Sequence, residues 1–202
     1  MYNPPAFREE RTEVLHRAIR AAGMAILVTS GPDGLMASHI PMLLDPDAGE
    51  FGTLYGHVAR ANPQARATGQ ALAIFQGPDA YVTPSWYPSK QVDGKVVPTW
   101  NYVAVHAMGV LETFDDPARL LDIVTRLTER FEGAREKPWA VSDAPEDYVA
   151  GMLKGITGFV LPIAKLEGKW KMSQNRVPGD RAGVVAGLTA DGRDDIAGLI
   201  AR

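Results

Sequence analysis

Seven short apolar runs, separated by clusters of Pro, Gly and Asp, constrain this chain more than any other feature of its sequence. They are Met24–Ser30, Leu35–Leu44, Phe51–Val58, Ala71–Gln76, Ala80–Thr83, Val97–Phe114 and Ile156–Leu166. Ser30-Gly31-Pro32-Asp33-Gly34 follows the first run, Asp45-Pro46-Asp47-Ala48-Gly49 the second, and Gly77-Pro78-Asp79 the fourth. Pro presets one backbone angle and Gly admits positive φ, so each cluster is suited to reversing the chain. Such short connections join antiparallel strands; parallel ones need crossovers of about a dozen residues or more. Val97–Phe114 is rich in β-branched and aromatic residues, which fit a pleated, half-buried surface. Pro162, which has no N–H to give a ladder, marks the last run as an edge or a bulge. The pattern predicts a mainly β chain with helical additions, an antiparallel barrel.

Helices punctuate the strands. In Arg8–Ala22, Leu15, Ala18, Ile19 and Ala22 recur at helical spacing opposite Glu9, Glu13, Arg17 and Arg20. Pro117–Phe131 has Asp116 as a cap, Pro117 at the first helical position, Gly133 as a stop, and Leu120, Val124, Leu127 and Phe131 on one face. Pro145–Lys154 is expected to bury Tyr148, Val149, Met152 and Leu153. The Gly- and Ala-rich stretch after Pro178 carries no clear periodicity. The expected organisation is one domain over residues 1–190 and a tail over 191–202.

Composition narrows the chemistry. The 202 residues include no Cys, which excludes disulfides, Cys-ligated zinc, iron–sulfur clusters and thiol catalysis. The four His residues show neither HExxH nor helical metal-ligand spacing, so no metal site is expected. A net charge of −3 offers no general attraction to DNA or acidic membranes. The polar amino terminus does not look like a signal peptide, and no run is long enough to span a membrane. The expectation is a cytoplasmic protein.

Four segments are candidates for ligand contact. His57-Val58-Ala59-Arg60-Ala61-Asn62-Pro63-Gln64 runs from a strand end into a helix start, with Asn62 as N-cap. Free amides there favour an anion, and Arg60 adds a planar bidentate donor; the alternative is a capped surface helix with a solvated Arg. Ala37–Pro41 sits in a strand, where Ser38 and Ile40 face one side and His39 the other. It suits a flat heteroaromatic ligand, or a His39 that is simply part of the sheet. Thr83–Lys90 and Thr99–Tyr102 bring aromatic rings and hydroxyls to one loop region, which fits a planar ligand or an oligomer interface equally. Lys169–Arg176 packs three cations and two amides into eight residues, an anion site or a solvated strand end. His106 is a lone strand His, a haem ligand in one reading and structural in the other.

Taken in order, MYNPPAF at the start, the His57–Gln64 run, PSWYPSK at Pro84–Lys90, VPTWNYVAVHAMG at Val97–Gly109 and KMSQNR at Lys171–Arg176 resemble the PaiB family of FMN-binding negative transcriptional regulators. The resemblance covers about residues 1–190. It implies a split antiparallel β-barrel of the FMN-binding type, similar to pyridoxamine phosphate oxidase, assembled as a homodimer with FMN near the subunit interface. It further implies that Ser38, His39 and Ile40 run along the flavin ring. His57, Val58, Ala59, Arg60 and Asn62 would approach ribityl and phosphate. Trp100 and Asn101 would lie near the ring or the facing subunit, and Lys171, Gln174 and Asn175 would complete the pocket, with the other chain as one source. The oxidase's second phosphate-binding cation is replaced here by Ala61. No side chain stands out as an acid–base catalyst. Three functions follow as alternatives: a flavin-dependent redox or regulatory protein, a repressor acting on DNA directly or indirectly, and a haem-binding barrel.

Overall fold

The computed structural model describes residues 1–32 and 34–201. Asp33, in the first expected turn, and Arg202 lie outside the described residues. In chain order the elements are β1 (Arg8–Glu9), α1 (Thr12–Ala21), β2 (Ala25–Gly31), β3 (Gly34–Ile40), β4 (Leu43–Asp45), β5 (Thr53–Ala59), β6 (Gly69–Val82), α2 (Lys90–Asp93), β7 (Thr99–Phe114), α3 (Pro117–Glu132), α4 (Glu146–Leu153), β8 (Ile156–Lys171), α5 (Pro178–Ala190) and α6 (Asp194–Ile200). The strands follow the order β3-β2-β6-β7-β8-β5-β4, with β1 also on β8. The ladders β1–β8, β2–β3, β2–β6, β4–β5 and β5–β8 are all antiparallel. The chain is therefore mainly antiparallel β with helical additions, as its turn spacing predicts.

Contacts divide the chain into two compact units. The larger comprises His16–Phe75 and His106–Leu166; the smaller comprises Met1–Leu15, Gln76–Val105 and the residues from Glu167 onward. In the larger unit β2 and β3 form a hairpin with Ile26 opposite His39 and Leu27 opposite Ser38. β5 lies between β4 and β8, its ladder with β8 running from Thr53 opposite Pro162 to Ala59 opposite Ile156. Helix α3 starts where Asp116 accepts the Arg119 N–H at 2.8 Å, with Pro117 in the first turn, and stops at Gly133. Its Ile123 and Leu127 pack with Leu43, Tyr55 and Phe114. Arg130, near its end, donates to the carbonyls of Met42, Arg20 and Ala22 at 2.6, 2.7 and 2.8 Å. Burial holds this guanidinium below its ordinary pKa.

The smaller unit is built around α5 and α6. Val184, Leu188, Ile196, Ala197 and Ile200 are buried with Val82, Tyr87, Val103 and Met172. A β-carbon at Gly183 or Gly187 would run into Trp86, so these two glycines make the seat for its indole and backbone. Asp180 accepts from both the backbone N–H (3.1 Å) and the hydroxyl (2.7 Å) of Ser89.

Four expectations are corrected by the structure. The segment from residue 191 is no tail: α6 buries Ile196, Ala197 and Ile200, an apolar face too short for its periodicity to stand out. Gly77-Pro78-Asp79 does not reverse the chain; β6 runs straight through it, and Gly77 makes room for Val103, which a β-carbon would strike at 2.8 Å. β8 is an interior strand rather than an edge, and it extends through Lys169–Lys171. Pro162 is tolerated because it sits at the last rung of the β5 ladder, where Ile163 supplies the next N–H to Gly52 at 3.0 Å. Helix α4 buries none of its residues.

Candidate functional site

In the larger unit the structure links two of the expected residues directly. Asn62 caps a one-turn 3-10 helix, Pro63–Arg66, its side chain accepting the Gln64 N–H at 2.9 Å. Its amide nitrogen donates to the Ser38 hydroxyl at 3.0 Å, fixing that hydroxyl on the half-buried face of β3. Gln64, almost wholly buried, donates to the Leu27 and Met36 carbonyls and to Thr29 Oγ1. Three acceptors fix the orientation of its amide and leave Oε1 without a partner. A cavity of about 550 Å³ adjoins this turn, walled by Thr29, Ser30, Asn62, Arg66 and Thr68 among others.

The turn differs from the expected helix start. The Gln64 amide goes to the Asn62 side chain and the Ala65 amide to the Asn62 carbonyl, so this short coil does not offer a row of free donors. Arg60 lines the cavity, but its guanidinium is engaged. Nε donates to the Lys154 carbonyl at 2.7 Å, Nη2 to the Ile156 carbonyl at 2.9 Å, and Nη1 pairs with Asp115 at 3.0 Å. The Arg60 guanidinium, followed by the Thr157 hydroxyl, holds the Asp115 carboxyl below its ordinary pKa. Arg66, exposed on the cavity wall, has no ion-pair partner among the described residues. Adjacency to the cap singles out Arg60 in the sequence, whereas Arg66, on the free side of the turn, carries no local signal.

The remaining expected residues of β3 and β5 separate by face. His39 and Ala59 are exposed, while Ile40 is half-buried. Val58 is in the core, and His57, one residue earlier, points to the opposite face and lines a different cavity with Pro41, α3 and α4. β3 ends the strand order, so among the described residues its outer edge keeps backbone donors and acceptors that no neighbouring strand takes.

In the smaller unit a second cluster forms around the end of β8. Asn101 is 1% exposed, and its amide donates to the Ser173 hydroxyl at 3.0 Å. Ser173 takes a positive φ of 59°, a conformation in which a non-glycine residue persists only when its surroundings hold it. Lys171 Nζ donates to Thr99 Oγ1 and to the Trp100 carbonyl. Burial, then repulsion from Lys169 and Arg176, pushes its ammonium below the ordinary lysine pKa. Lys169 donates to the Tyr2 carbonyl and lies 5.3 Å from the Tyr102 ring; Arg176 lies 4.7 Å over Tyr87. Among the described residues no carboxylate pairs with any of these three cations. Gln174 closes the turn, accepting the Met172 N–H and donating to the Trp170 carbonyl; Asn175 is exposed. Lys169 and Arg176 were readable from a segment with no Asp or Glu, whereas Ser173's backbone was not.

The aromatic segment divides. Tyr87 is buried in the core of the smaller unit, and Trp86 packs half-buried against it. Trp100 stays 53% exposed, edge-on to Tyr81 with ring centroids 5.9 Å apart. No described group of three or more His, Cys, Asp or Glu is arranged to hold a metal ion, and no described helix is long and apolar enough to cross a membrane.

Comparison with known proteins places this geometry. A family profile described as "Putative FMN-binding domain" matches residues 1–165. An uncharacterised protein of Aspergillus fumigatus is 38% identical over 93% of this chain and 90% of its own. Protease synthase and sporulation protein PAI 2 of Bacillus subtilis is 30% identical over 93% of this chain and 89% of its own. Among solved structures, the FAD and heme binding protein of Mycobacterium smegmatis superposes with a TM-score of 0.59 at 16% identity, covering 81% of this chain and 73% of that one. At that identity the likeness concerns the fold alone.

Proposed function

Since the chain belongs to the PaiB family of FMN-binding split-barrel proteins, we propose that it binds FMN and acts as a flavin-dependent redox or regulatory protein. The observation that carries this reading is the cavity of about 550 Å³ beside the Asn62 turn, in which Arg66 is a cation without a carboxylate partner. Its chemistry fits the cofactor. Arg66 offers a guanidinium fork to a phosphate, and Thr29, Ser30 and Thr68 offer hydroxyls. Gln64 anchors the turn from beneath through its three hydrogen bonds. Asn62 holds the Ser38 hydroxyl toward a ring laid along β3, whose outer edge supplies amides to ring nitrogens and carbonyls. Arg60 is a positioning residue here: it ties the end of β5 to the Lys154–Ile156 segment. When bound, FMN supplies the electron chemistry, and protein donors around the ring tune it.

In this reading the protein is a cytoplasmic homodimer, and the Lys171, Gln174 and Asn175 segment of the other protomer contributes to the pocket. Regulation then works through the flavin-bound state, because a net charge of −3 gives the molecule no general pull toward DNA.

Flavin fluorescence titration tests this. The parent protein is expected to quench FMN saturably at micromolar concentration, and Arg66→Ala and Asn62→Ala each to weaken binding about tenfold, as loss of a charge-assisted or buried hydrogen bond does. Lys171→Ala is expected to weaken it in the dimer. Unsaturable quenching, or variants indistinguishable from the parent, would refute the reading; a Soret band on the purified protein would replace it with the haem alternative.

A further inference from the structure

Helix α4 carries an apolar face that the fold leaves uncovered. Tyr148 is 60% and Met152 56% exposed, and Val149 and Leu153 are only half-buried. With α3 and the strands beneath, they wall an open cavity of about 590 Å³, a volume typical of small-molecule sites. Leu127 and Phe131 of α3 and Trp139 complete its apolar lining.

One polar group on this wall lacks a partner. His57 lines the cavity, and its Nδ1 is shut off from solvent without a hydrogen bond. Native buried nitrogens are rarely left so. A half-turn of the ring about its Cβ–Cγ bond exchanges Nδ1 with Cδ2 without moving the backbone, so the nitrogen has two positions on a ring that lines the cavity. Burial lowers the imidazole pKa, so the ring is neutral at physiological pH. A neutral imidazole nitrogen donates or accepts according to its tautomer, and a hydroxyl answers either. Of the other polar side chains on the wall, Tyr148 is 60% exposed and its hydroxyl faces water, while Thr128 and Glu132 are already engaged. Thr128 donates to the Val124 carbonyl at 2.7 Å, and Glu132 accepts the Trp139 N–H at 3.2 Å and pairs with Arg135 at 3.0 Å. An anionic ligand would therefore meet a carboxylate and find no cation free to take it.

We propose that this cavity is a binding site for a neutral aromatic alcohol of one or two rings, its hydroxyl on His57 and its rings between Leu127, Phe131, Val149 and Met152. The site is distinct from the cavity at Asn62, with which it shares no lining residue, and stands whether or not that one takes FMN; His57, which the family resemblance sets toward the ribityl chain, lines this cavity instead.

The test is fluorescence titration of the full chain with 2-naphthol, against naphthalene as the same ring system without the hydroxyl. Naphthol is expected to bind saturably, about tenfold more tightly than naphthalene, the ratio that one well-placed hydrogen bond supplies. His57→Phe should bring naphthol down to naphthalene's affinity. Ala144→Trp should fill the cavity and abolish both; Met152→Lys, at an exposed position that tolerates charge, should weaken both if the tryptophan variant does not fold. Saturating FMN should leave naphthol binding unchanged. Equal affinities for the two probes, absence of saturable binding, indifference to both cavity variants, or displacement by FMN would each overturn the proposal.

Discussion

Arg60 and Arg66 wall the same cavity, yet only one has its guanidinium free. Arg60 lies against two carbonyls and a carboxylate that need its hydrogens, so removing it would expose unpaired acceptors at the Lys154–Ile156 segment. Arg66 leaves its fork to solvent or to a ligand. Nothing in the local sequence separates them, because the partners of Arg60 lie more than fifty positions away. His57 makes the same point for titration. Burial keeps its imidazole neutral in the fold, while in the unfolded chain it takes up a proton near its ordinary value of about 6.5. The unfolded state thus binds more protons below that pH, so His57's contribution is complete above it and lost as pH falls toward the depressed native value. Thermal melts between pH 7.5 and 5 should show the parent losing stability faster than His57→Phe. Parallel curves would mean that the ring is solvated in the fold.

Glycines distinguish the elements. Within the larger unit, Gly109 of β7 lies so close to the Pro162 carbonyl that a β-carbon would fall on the oxygen, whereas Gly151 of α4 has open space around it. Gly109→Ala must shift backbone against backbone and is expected to cost about 2 kcal/mol or more. Gly151→Ala should instead stabilise the protein by about 0.5–1 kcal/mol, through helix propensity alone. Urea unfolding of both variants measures the contrast, and a neutral Gly109→Ala would show that the strand can yield there. Helix α3 was legible end to end because its cap, first-turn Pro, apolar stripe and Gly stop all lie within eighteen residues of one another. Strand β6 was not. Gly77-Pro78-Asp79 carries turn chemistry, and only the need to pack beside Val103 keeps it extended.

For the whole molecule, the proposed homodimer is the open question that solution measurement answers directly. Sedimentation at micromolar concentration should give twice the 21.8 kDa chain mass, and Trp100→Glu, which puts a charge on an exposed ring paired with Tyr81, should shift it toward monomer. A monomeric parent would remove the role given to the Lys171 segment of the other protomer. By itself the sequence determined the antiparallel β class, the ends of α3 and the Asn62 cap, because turn chemistry, periodicity and capping act within a few residues. Only the tertiary structure decided that Arg60 is engaged, that Tyr87 belongs to the core with Trp86 packed against it, that α6 packs, and that the apolar face of α4 stays open over His57. Those outcomes depend on which distant groups arrive beside a side chain, and burial and hydrogen-bond satisfaction are properties of that company rather than of the residue.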